Sequence, residues 1–397
     1  ITLARNIQPF PMTMETTLDL PFFEPRHREL TNAFRRWVTT RLTEFETNEG
    51  GDGQAARAIF EALARDCWLP ATVALSAGAW ENPIDLRTVC LVREALSYSS
   101  VIADVAFSEP WLAVLPIVLY GSKEQKRNYV ELFSSGKCLP AFALSEPEAG
   151  SDVAAIKTTA TPTGSGYVLN GTKTWTSNSG LADIYVVFAR IDGEAGAQGI
   201  TAFLVNGEND GIELQERLHV LSPHTVGTLR FVNCYVGSAS VLGQPGRGFE
   251  IAMKALELFR PTVGAATLGI ARRAMDEALK RSTERGAFKK PISEHQLIQA
   301  KLADMVVKTE AAALLVYRAA WGHDIGSSSM GRDASIAKLY SSEAAQVVVD
   351  QALQIFGGLG VVEGTTVERL YRHVRAFRIF DGTSEIQQLI IAKHLLK

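Results

Sequence analysis

A single carboxylate, Asp381, stands near the carboxyl end between an apolar run and a Gly-Thr pair that opens a predicted helix. Gly382 lets backbone come close to a ligand, and Thr383 can cap the first turn of that helix. A carboxylate presented against apolar neighbours is suited to act as a general base towards a weak carbon acid. Most carboxylates before Gly-Thr are nevertheless ordinary residues at a helix N-terminus, so this hypothesis depends on the rest of the chain.

A polar loop and a strand end in the middle of the chain have the residue types needed to contact a flat heterocycle. Residues 142–153 combine small side chains, a proline and several amides and hydroxyls that can donate hydrogen bonds to such a ring. Trp175, Thr176 and Ser177 follow, and an aromatic ring with two hydroxyls can wall a heterocycle and bond its edge. Composition alone favours simpler interpretations, a domain-joining loop and a core tryptophan beside surface hydroxyls.

The last third of the chain contains an arginine loop and a glycine-rich segment. Arg285 follows a long predicted helix, and its planar, permanently charged guanidinium suits phosphate, although a lone loop arginine is usually only solvated. Residues 354–360, Gln-Ile-Phe-Gly-Gly-Leu-Gly, follow a helical pattern instead of a strand. No βαβ unit surrounds them, which excludes a Rossmann dinucleotide site, and glycines that end a helix are the simpler interpretation.

The patterns that connect these segments change in the order helical, β, helical. Apolar residues recur at three- and four-residue steps from Pro25 to about Lys137. Strand-like runs follow at regular spacing, including a predicted hairpin whose type I′ turn is Asn170-Gly171. Long, Ala-rich helical stretches resume after Gly248. We predict a mainly α fold with a central β domain: an N-terminal helical domain (18–138), a small β-barrel or sandwich (139–245) and a C-terminal four-helix bundle (246–397).

Composition excludes several function classes. The 397 residues are 46% hydrophobic and 21% charged, with a formal net charge of -3, so neither nucleic acid nor an anionic membrane is predicted as the main partner. No apolar run reaches the roughly 18 residues of a membrane helix. Four scattered cysteines predict buried free thiols, no metal site and a reducing compartment, the cytoplasm or alternatively the mitochondrial matrix. Residues 1–11 read as vector-derived, with Met12 or Met14 as the native start.

In their order, these segments resemble the signature motifs of the acyl-CoA dehydrogenase family, and the resemblance runs from about Phe22 to Leu396. It implies the acyl-CoA dehydrogenase fold, FAD as cofactor and α,β-dehydrogenation of an acyl-CoA or acyl-carrier thioester. It also implies a homotetramer or dimer with flavin at a subunit interface, and an electron-transfer flavoprotein as acceptor. The implied FAD contacts are Phe142, Leu144, Ser145, Gly150, Ser151, Trp175, Thr176, Ser177, Arg285, Phe288, Gln296, Gln354, Ile355, Gly357, Gly358, Thr383, Ser384 and Glu385. The implied substrate contacts are Ser151, Phe259, Arg260 and Gly382.

By the same resemblance, Asp381 replaces the family's catalytic glutamate as the base that removes the α-proton while hydride leaves to flavin N5. Its own amide and a flavin ribityl hydroxyl are the expected partners of the thioester oxygen. Asp is one methylene shorter than Glu, which withdraws the carboxylate by roughly 1.5 Å. One branch of the family carries its glutamate on the long helix of the last domain, but the matching position here is Phe259. The nearby Glu257 points about 200° away on that helix.

Three hypotheses explain the aspartate. A substrate that is bulky near Cα, branched or cyclic, or one tethered to a carrier protein, favours a recessed base. A nitroalkane-oxidase-like reaction also uses an aspartate, with oxygen as acceptor, but that pattern has a downstream arginine where this chain has Gln388. The third hypothesis is a flavin-binding homologue with weak catalysis. We favour the first and keep the other two as alternatives.

Overall fold

The computed structural model describes residues 17–42, 53–73, 84–193 and 195–396. Its α-helices are α1 Pro25–Arg41, α2 Gln54–Arg65, α3 Trp68–Thr72, α4 Leu86–Ser99, α5 Val101–Tyr120, α6 Lys123–Gln125, α7 Glu131–Ser134, α8 Gly248–Glu284, α9 Gln296–Asp324, α10 Met330–Phe356, α11 Thr366–Ala376 and α12 Ser384–Leu395. Its strands are β1 Pro140–Ala143, β2 Thr159–Pro162, β3 Gly166–Ser177, β4 Ile184–Ile191, β5 Ile200–Asn206, β6 Ile212–Leu218, β7 Val226–Gly237, β8 Val241–Leu242, β9 Gly286–Ala287 and β10 Lys290–Pro291. The predicted fold class, mainly α with a central β domain, is confirmed.

The chain forms two compact units. The sheet unit comprises the described residues within 48–84 and 105–257, and the bundle unit those within 1–47, 85–104 and 258–397. In the sheet unit, eight strands form one sheet in the order β6-β7-β3-β2-β4-β5-β8, with β1 paired to β4. Its core packs alanines and valines around aromatic rings such as Tyr185, Phe203 and Phe231. This sheet positions both the loop after β1 and the end of β3.

The hairpin predicted at Asn170-Gly171 is wrong, because residues Gly166–Ser177 form one continuous strand, β3. The Asn-Gly pair instead lies at a shift of register between β3 and β7. A Cβ on Gly171 would lie 2.5 Å from Oγ1 of Thr158, so the glycine permits a close approach within the sheet. Asn170 accepts the amide of Asn233 through Oδ1 at 2.8 Å. The dipeptide therefore makes a bulge and not a chain reversal.

In the bundle unit, α9 packs along α10, and α10 also packs against α11 and α12. Two buried arginines of this unit are paired with carboxylates, which offsets the cost of burying their charge. Arg93 donates to Asp104 through both Nε and Nη2 at 2.8 Å, and Arg272 pairs with Glu94. Helix α10 therefore contacts both α11 and α12, the two helices that flank the segment that carries Asp381.

Two predictions from composition need correction: that no apolar run is long enough to span a membrane, and that all four cysteines are buried. By length and composition, two helices of the described residues are apolar enough to cross a membrane, Val101–Tyr120 and Met330–Val361. The apolar window of the first is 83% buried inside the protein and that of the second 39%, so core packing accounts well for the first. All four cysteines are free, but Cys67 is exposed, because it lies with φ 64° in the turn between α2 and α3.

Candidate active site

Asp381 lies in a turn between α11 and α12, residues 378–384, which we call the Asp381 turn. Its backbone is left-handed at two successive residues, Asp381 (φ 57°) and Gly382 (φ 93°). Aspartate enters this region more readily than most residues, and glycine does so freely. A Cβ on Gly382 would lie 2.6 Å from Nε2 of Gln387, so a side chain there would push the Gln387 amide away from the turn. Thr383 caps α12 as predicted, accepting the amide of Ile386 at 3.3 Å.

Two buried side chains hold the carbonyl groups of the Asp381 turn. Lys338 donates from Nζ to the carbonyl oxygen of Gly382 at 2.8 Å, and Gln387 donates from Nε2 to the same oxygen at 2.9 Å. Gln387 also reaches the carbonyl of Asp381 at 3.4 Å. Both side chains belong to residues with no solvent exposure. The left-handed pair is therefore fixed by donors from inside the bundle unit.

Glu343 anchors both ends of the same turn. Its Oε1 accepts a hydrogen bond from Nε of Arg378 at 2.8 Å and one from Oγ of Ser384 at 2.5 Å. The amide of Ser384 closes on the carbonyl of Arg378 at 3.1 Å. Because Lys338 and Glu343 both belong to α10, one helix positions the ends and the middle of the turn.

The buried ammonium of Lys338 is one charge near Asp381. The pKa of Lys338 is lowered to about 8, with burial as the main cause; the carboxylate of Asp381 opposes this shift and the neighbouring Arg260 contributes to it. Because Nζ of Lys338 donates to the carbonyl of Gly382, the residue after Asp381, the ammonium lies beside the Asp381 turn. A nearby cation favours the charged form of a carboxylate, which is the form that can accept a proton.

Phe259 and Arg260, the predicted substrate contacts on α8, occupy different surroundings. The ring of Phe259 is fully buried, and the guanidinium carbon of Arg93 lies 4.8 Å from its centroid. Arg260 is also buried, but its Nη2 lies 3.9 Å from where a Cβ on Gly382 would be. The structure thus brings Arg260 to the Asp381 turn and places Phe259 in the core. Their contacts with substrate stay predictions.

In the sheet unit, a buried ion pair ties the loop after β1 to strand β3. Lys173 donates from Nζ to Oε1 of Glu146 at 2.8 Å and to the carbonyl of Leu144 at 2.9 Å. Glu146 also accepts two backbone amides from the far side of the loop. Burial lowers the pKa of Lys173 to about 8, although Glu146 opposes this shift. Residues 144–151 are thereby fixed against the strand that leads to Trp175.

Strand β3 ends in an irregular segment that exposes one aromatic ring. Trp175 has φ 56° and is 59% exposed, which is unusual for a bulky residue. Thr176 is fully buried, and its Oγ1 has no hydrogen-bond partner among the described residues. The hydroxyl of Ser177 donates to Oε2 of Glu109 at 2.7 Å and lies 2.9 Å from Nε2 of His224.

These features fit an aromatic cofactor at the end of β3. An exposed indole offers a face for stacking, and the hydroxyl of Thr176 is a buried polar group whose missing partner a ring edge would supply. Trp175 and Thr176 could therefore hold a flat cofactor, and their assignment to FAD, with that of the loop at 144–151, stays a prediction. Ser177 is engaged by Glu109 and His224, and its contact with the cofactor stays a prediction.

The remaining predicted FAD contacts have varied surroundings. Phe142 is half-buried, with its ring centroid 5.0 Å from that of Phe188. Gly357 ends α10 with φ 63°, as the simpler interpretation of the glycine-rich segment predicts. The exposed ones are Gly150, Ser151, Arg285, Phe288, Gln296, Gln354, Gly357, Gly358 and Glu385, and the buried ones are Leu144, Ile355 and Ser384. Their roles, including those across a subunit interface, stay predictions.

Sequence reasoning missed the residues that hold these elements in place. Lys338, Glu343 and Gln387 position the Asp381 turn, and Glu146 with Lys173 positions the loop after β1. One signal was present: Lys338 falls on the face of α10 that carries Ala334, Ala337 and Ser341, all buried. A charged residue on the buried stripe of a helix is rarely there for packing alone.

Three family models match the chain. They are "Acyl-CoA dehydrogenase, N-terminal domain" at residues 24–137, "Acyl-CoA dehydrogenase, middle domain" at 141–234 and "Acyl-CoA dehydrogenase, C-terminal domain" at 246–396. Together they extend over the helical, β and helical parts of the fold.

Individual proteins show the same similarity. The chain is 40% identical over 317 residues to a 3-(aryl)acrylate reductase of Clostridium sporogenes, covering 79% of this chain and 84% of that protein. It is 44% identical over 285 residues to the mitochondrial short-chain specific acyl-CoA dehydrogenase of Homo sapiens, covering 71% and 69%. Among solved structures, the prolyl acyl carrier protein oxidase AnaB aligns with a TM-score of 0.85 at 28% identity, over 94% of this chain and 99% of that one.

Proposed function

The chain belongs to the acyl-CoA dehydrogenase family of FAD-dependent oxidoreductases that act on CH–CH groups, and we propose that it dehydrogenates an acyl thioester with Asp381 as its base. One observation carries this proposal. The carboxylate stands on a left-handed backbone whose carbonyls are fixed by Lys338 and Gln387, beside two buried cations, Lys338 and Arg260. A general base works efficiently only if its carboxylate is held at a fixed position relative to the proton that it removes.

The proposed reaction removes one hydrogen from Cα and one from Cβ. The carboxylate of Asp381 takes the α-proton, and the electron pair of that C–H bond becomes the new double bond as the β-hydrogen leaves as hydride. FAD, when bound, supplies the acceptor for that hydride. The products are the α,β-unsaturated thioester, the protonated base and the reduced cofactor, so atoms and electrons balance.

The amide of Asp381 is the proposed donor to the thioester oxygen. As the α-proton leaves, negative charge moves onto that oxygen, and a fixed N–H stabilises it best when the amide needs no reorientation. The hydrogen bonds of Lys338 and Gln387 to the adjoining carbonyls supply that rigidity. One turn of backbone would thus carry both the base and the oxyanion donor.

The proposed substrate is an acyl thioester that is branched or cyclic near Cα. Because an aspartate is shorter than a glutamate by one methylene, its oxygens sit roughly 1.5 Å further back. Extra carbon at Cα would occupy that space. The similarity to a prolyl acyl carrier protein oxidase supports including carrier-bound thioesters among the candidates. An electron-transfer flavoprotein is the proposed acceptor, and a homotetramer or dimer the proposed assembly.

A second candidate is reduction, the same chemistry in reverse. The similarity to a 3-(aryl)acrylate reductase favours it. The two directions are distinguished by starting from opposite redox states of the FAD-loaded protein. Reduced protein that is reoxidised without oxygen by a cinnamoyl thioester, while oxidised protein is not bleached by saturated thioesters, would establish the reductase.

The test of the main proposal is anaerobic mixing of the FAD-loaded protein with butyryl-, isobutyryl- and cyclohexanecarbonyl-CoA. We expect loss of the flavin absorbance, fastest with the branched or cyclic thioester. Asp381→Ala should abolish this bleaching while FAD stays bound, and retained bleaching would reject Asp381 as the base. Rapid peroxide formation when air is admitted would instead indicate an oxidase. A protein that binds FAD and is bleached by no thioester would be the weakly catalytic homologue.

A further inference from the structure

A buried ammonium lies at the centre of the structure that holds Asp381. Lys338 has no solvent exposure, and its Nζ donates to the carbonyl oxygen of Gly382 at 2.8 Å. Its neighbours on the buried face of α10 are small, including Ala334, Ala337 and Ser341. We propose that Lys338 is a positioning residue, which holds the Asp381 turn in the left-handed conformation that presents the carboxylate. This inference rests on the proposed function.

The backbone of the turn explains why such a residue is needed. Asp381 and Gly382 are left-handed in succession, with φ 57° and 93°, and a left-handed L-residue is strained relative to a right-handed one. The conformation persists only if its surroundings determine it. Gln387 supplies a neutral donor to the Gly382 carbonyl, and Lys338 supplies a charged one. Hydrogen bonds from charged donors are the stronger kind.

The chemistry of Lys338 argues against a role in stability alone. Burial disfavours its charged form, which is why its pKa falls to about 8. A methionine has a similar shape and would fill the same space without that cost. Lys338 therefore acts on Asp381 through the Gly382 carbonyl and through its charge.

The test compares Lys338→Met with wild type in the FAD-loaded protein by two readouts. The first is deuterium uptake of peptides that cover residues 378–387, and we expect faster uptake there in the variant, with FAD content retained and a melting temperature no lower than that of wild type. The second is the rate of anaerobic bleaching by the fastest of the three thioesters. We expect a loss of roughly 10²-fold, the effect of about 1 Å of misplacement at a reacting centre.

Two controls make the result specific. Lys308→Met removes a partly exposed lysine of α9 that pairs with Asp304 at 3.0 Å, and it should change neither readout. Lys338→Ala should regain bleaching when methylammonium is added, whereas tetramethylammonium, which cannot donate a hydrogen bond, should not help. Unchanged uptake at 378–387 in Lys338→Met would overturn the proposal. So would a lowered melting temperature with faster exchange throughout the bundle unit, which would mark a general structural role.

Failure of the proposed function gives a different pattern. If Asp381→Ala is still bleached, Asp381 is not the base, whatever Lys338 does. If no thioester bleaches the wild type, deuterium uptake at residues 378–387 still decides whether Lys338 holds the turn. If Asp381→Ala is inactive and Lys338→Met is fully active, only the inference about Lys338 fails.

Discussion

Lys173 and Glu146 form a buried ion pair in which Nζ and Oε1 lie 2.8 Å apart, with side-chain exposures of 0% and 6%. The pair joins the middle of β3 to the loop after β1, and the same lysine binds the carbonyl of Leu144. Burying two charges is unfavourable unless both are fully hydrogen-bonded, and Glu146 meets that requirement with two additional backbone amides. The pair therefore fixes the geometry of the proposed flavin loop.

Removing one member of this pair should destabilise the protein strongly. We expect Lys173→Met to lower the free energy of unfolding by about 3–5 kcal/mol, because it leaves the Glu146 carboxylate buried without its cation. The double variant Lys173→Met, Glu146→Gln should lose clearly less free energy of unfolding than the sum of the losses in Lys173→Met and Glu146→Gln. Urea unfolding of the two single variants and the double variant measures these losses. The control Lys308→Met, at a partly exposed lysine, should change the free energy of unfolding by less than about 1 kcal/mol. Equal losses in Lys173→Met and in the control would show that the pair contributes no stability.

Gly382 should tolerate no side chain. In Gly382→Ala the new Cβ would meet Nε2 of Gln387 at 2.6 Å, on a backbone with φ 93°. We expect a loss of about 1–3 kcal/mol of stability from backbone strain, and a loss of bleaching activity because Asp381 is displaced. Gly164→Ala is the matched control, since nothing lies within 4 Å of its added Cβ. Thermal unfolding and anaerobic bleaching of both variants check the prediction. Full activity in Gly382→Ala would mean that the turn does not position the base.

The sequence predicted the elements well and their supports poorly. The helical pattern predicted from Pro25 to about Lys137 is confirmed by helices α1 to α7, because the apolar period that marks them is local. The hairpin predicted at Asn170-Gly171 was wrong because the glycine is needed for a different reason, the close approach of Thr158. That approach is a tertiary contact, which the local sequence does not show. Asp381 was found through local pattern and resemblance. The helical period of α10 marks Lys338 as buried. It does not reveal the contacts of Lys338 with Gly382 and of Glu343 with Ser384, which join residues more than 35 positions apart.

The pH dependence of bleaching should show the titration of Lys338. Burial lowers the pKa of Lys338 to about 8 from an ordinary value of 10.5, so the ammonium that holds Gly382 is lost as pH rises through about 8. We expect the bleaching rate of wild type to fall there, and this alkaline decrease to be absent from Lys338→Met. The free energy of unfolding should change in the opposite direction and rise between pH 8 and 10.5. Burying the charged lysine costs most below pH 8, and this cost is relieved as the lysine loses its proton. Melting temperatures of both proteins across this range provide the check. The amount by which Lys338→Met melts above wild type should shrink as pH rises.

Lengthening the base tests why this chain has an aspartate. Asp381→Glu returns the side chain to the length usual in the family and moves its oxygens forward by roughly 1.5 Å. If the aspartate makes room for carbon at Cα, the variant should be bleached faster by butyryl-CoA and more slowly by cyclohexanecarbonyl-CoA. A change of about 10-fold or more in the ratio of the two rates is expected, since about 1 Å at a reacting centre can be worth about 10²-fold. Asp381→Asn is the control for charge and should be inactive with both thioesters. A ratio that stays the same while both rates fall would show that the shorter base does not select for bulk at Cα.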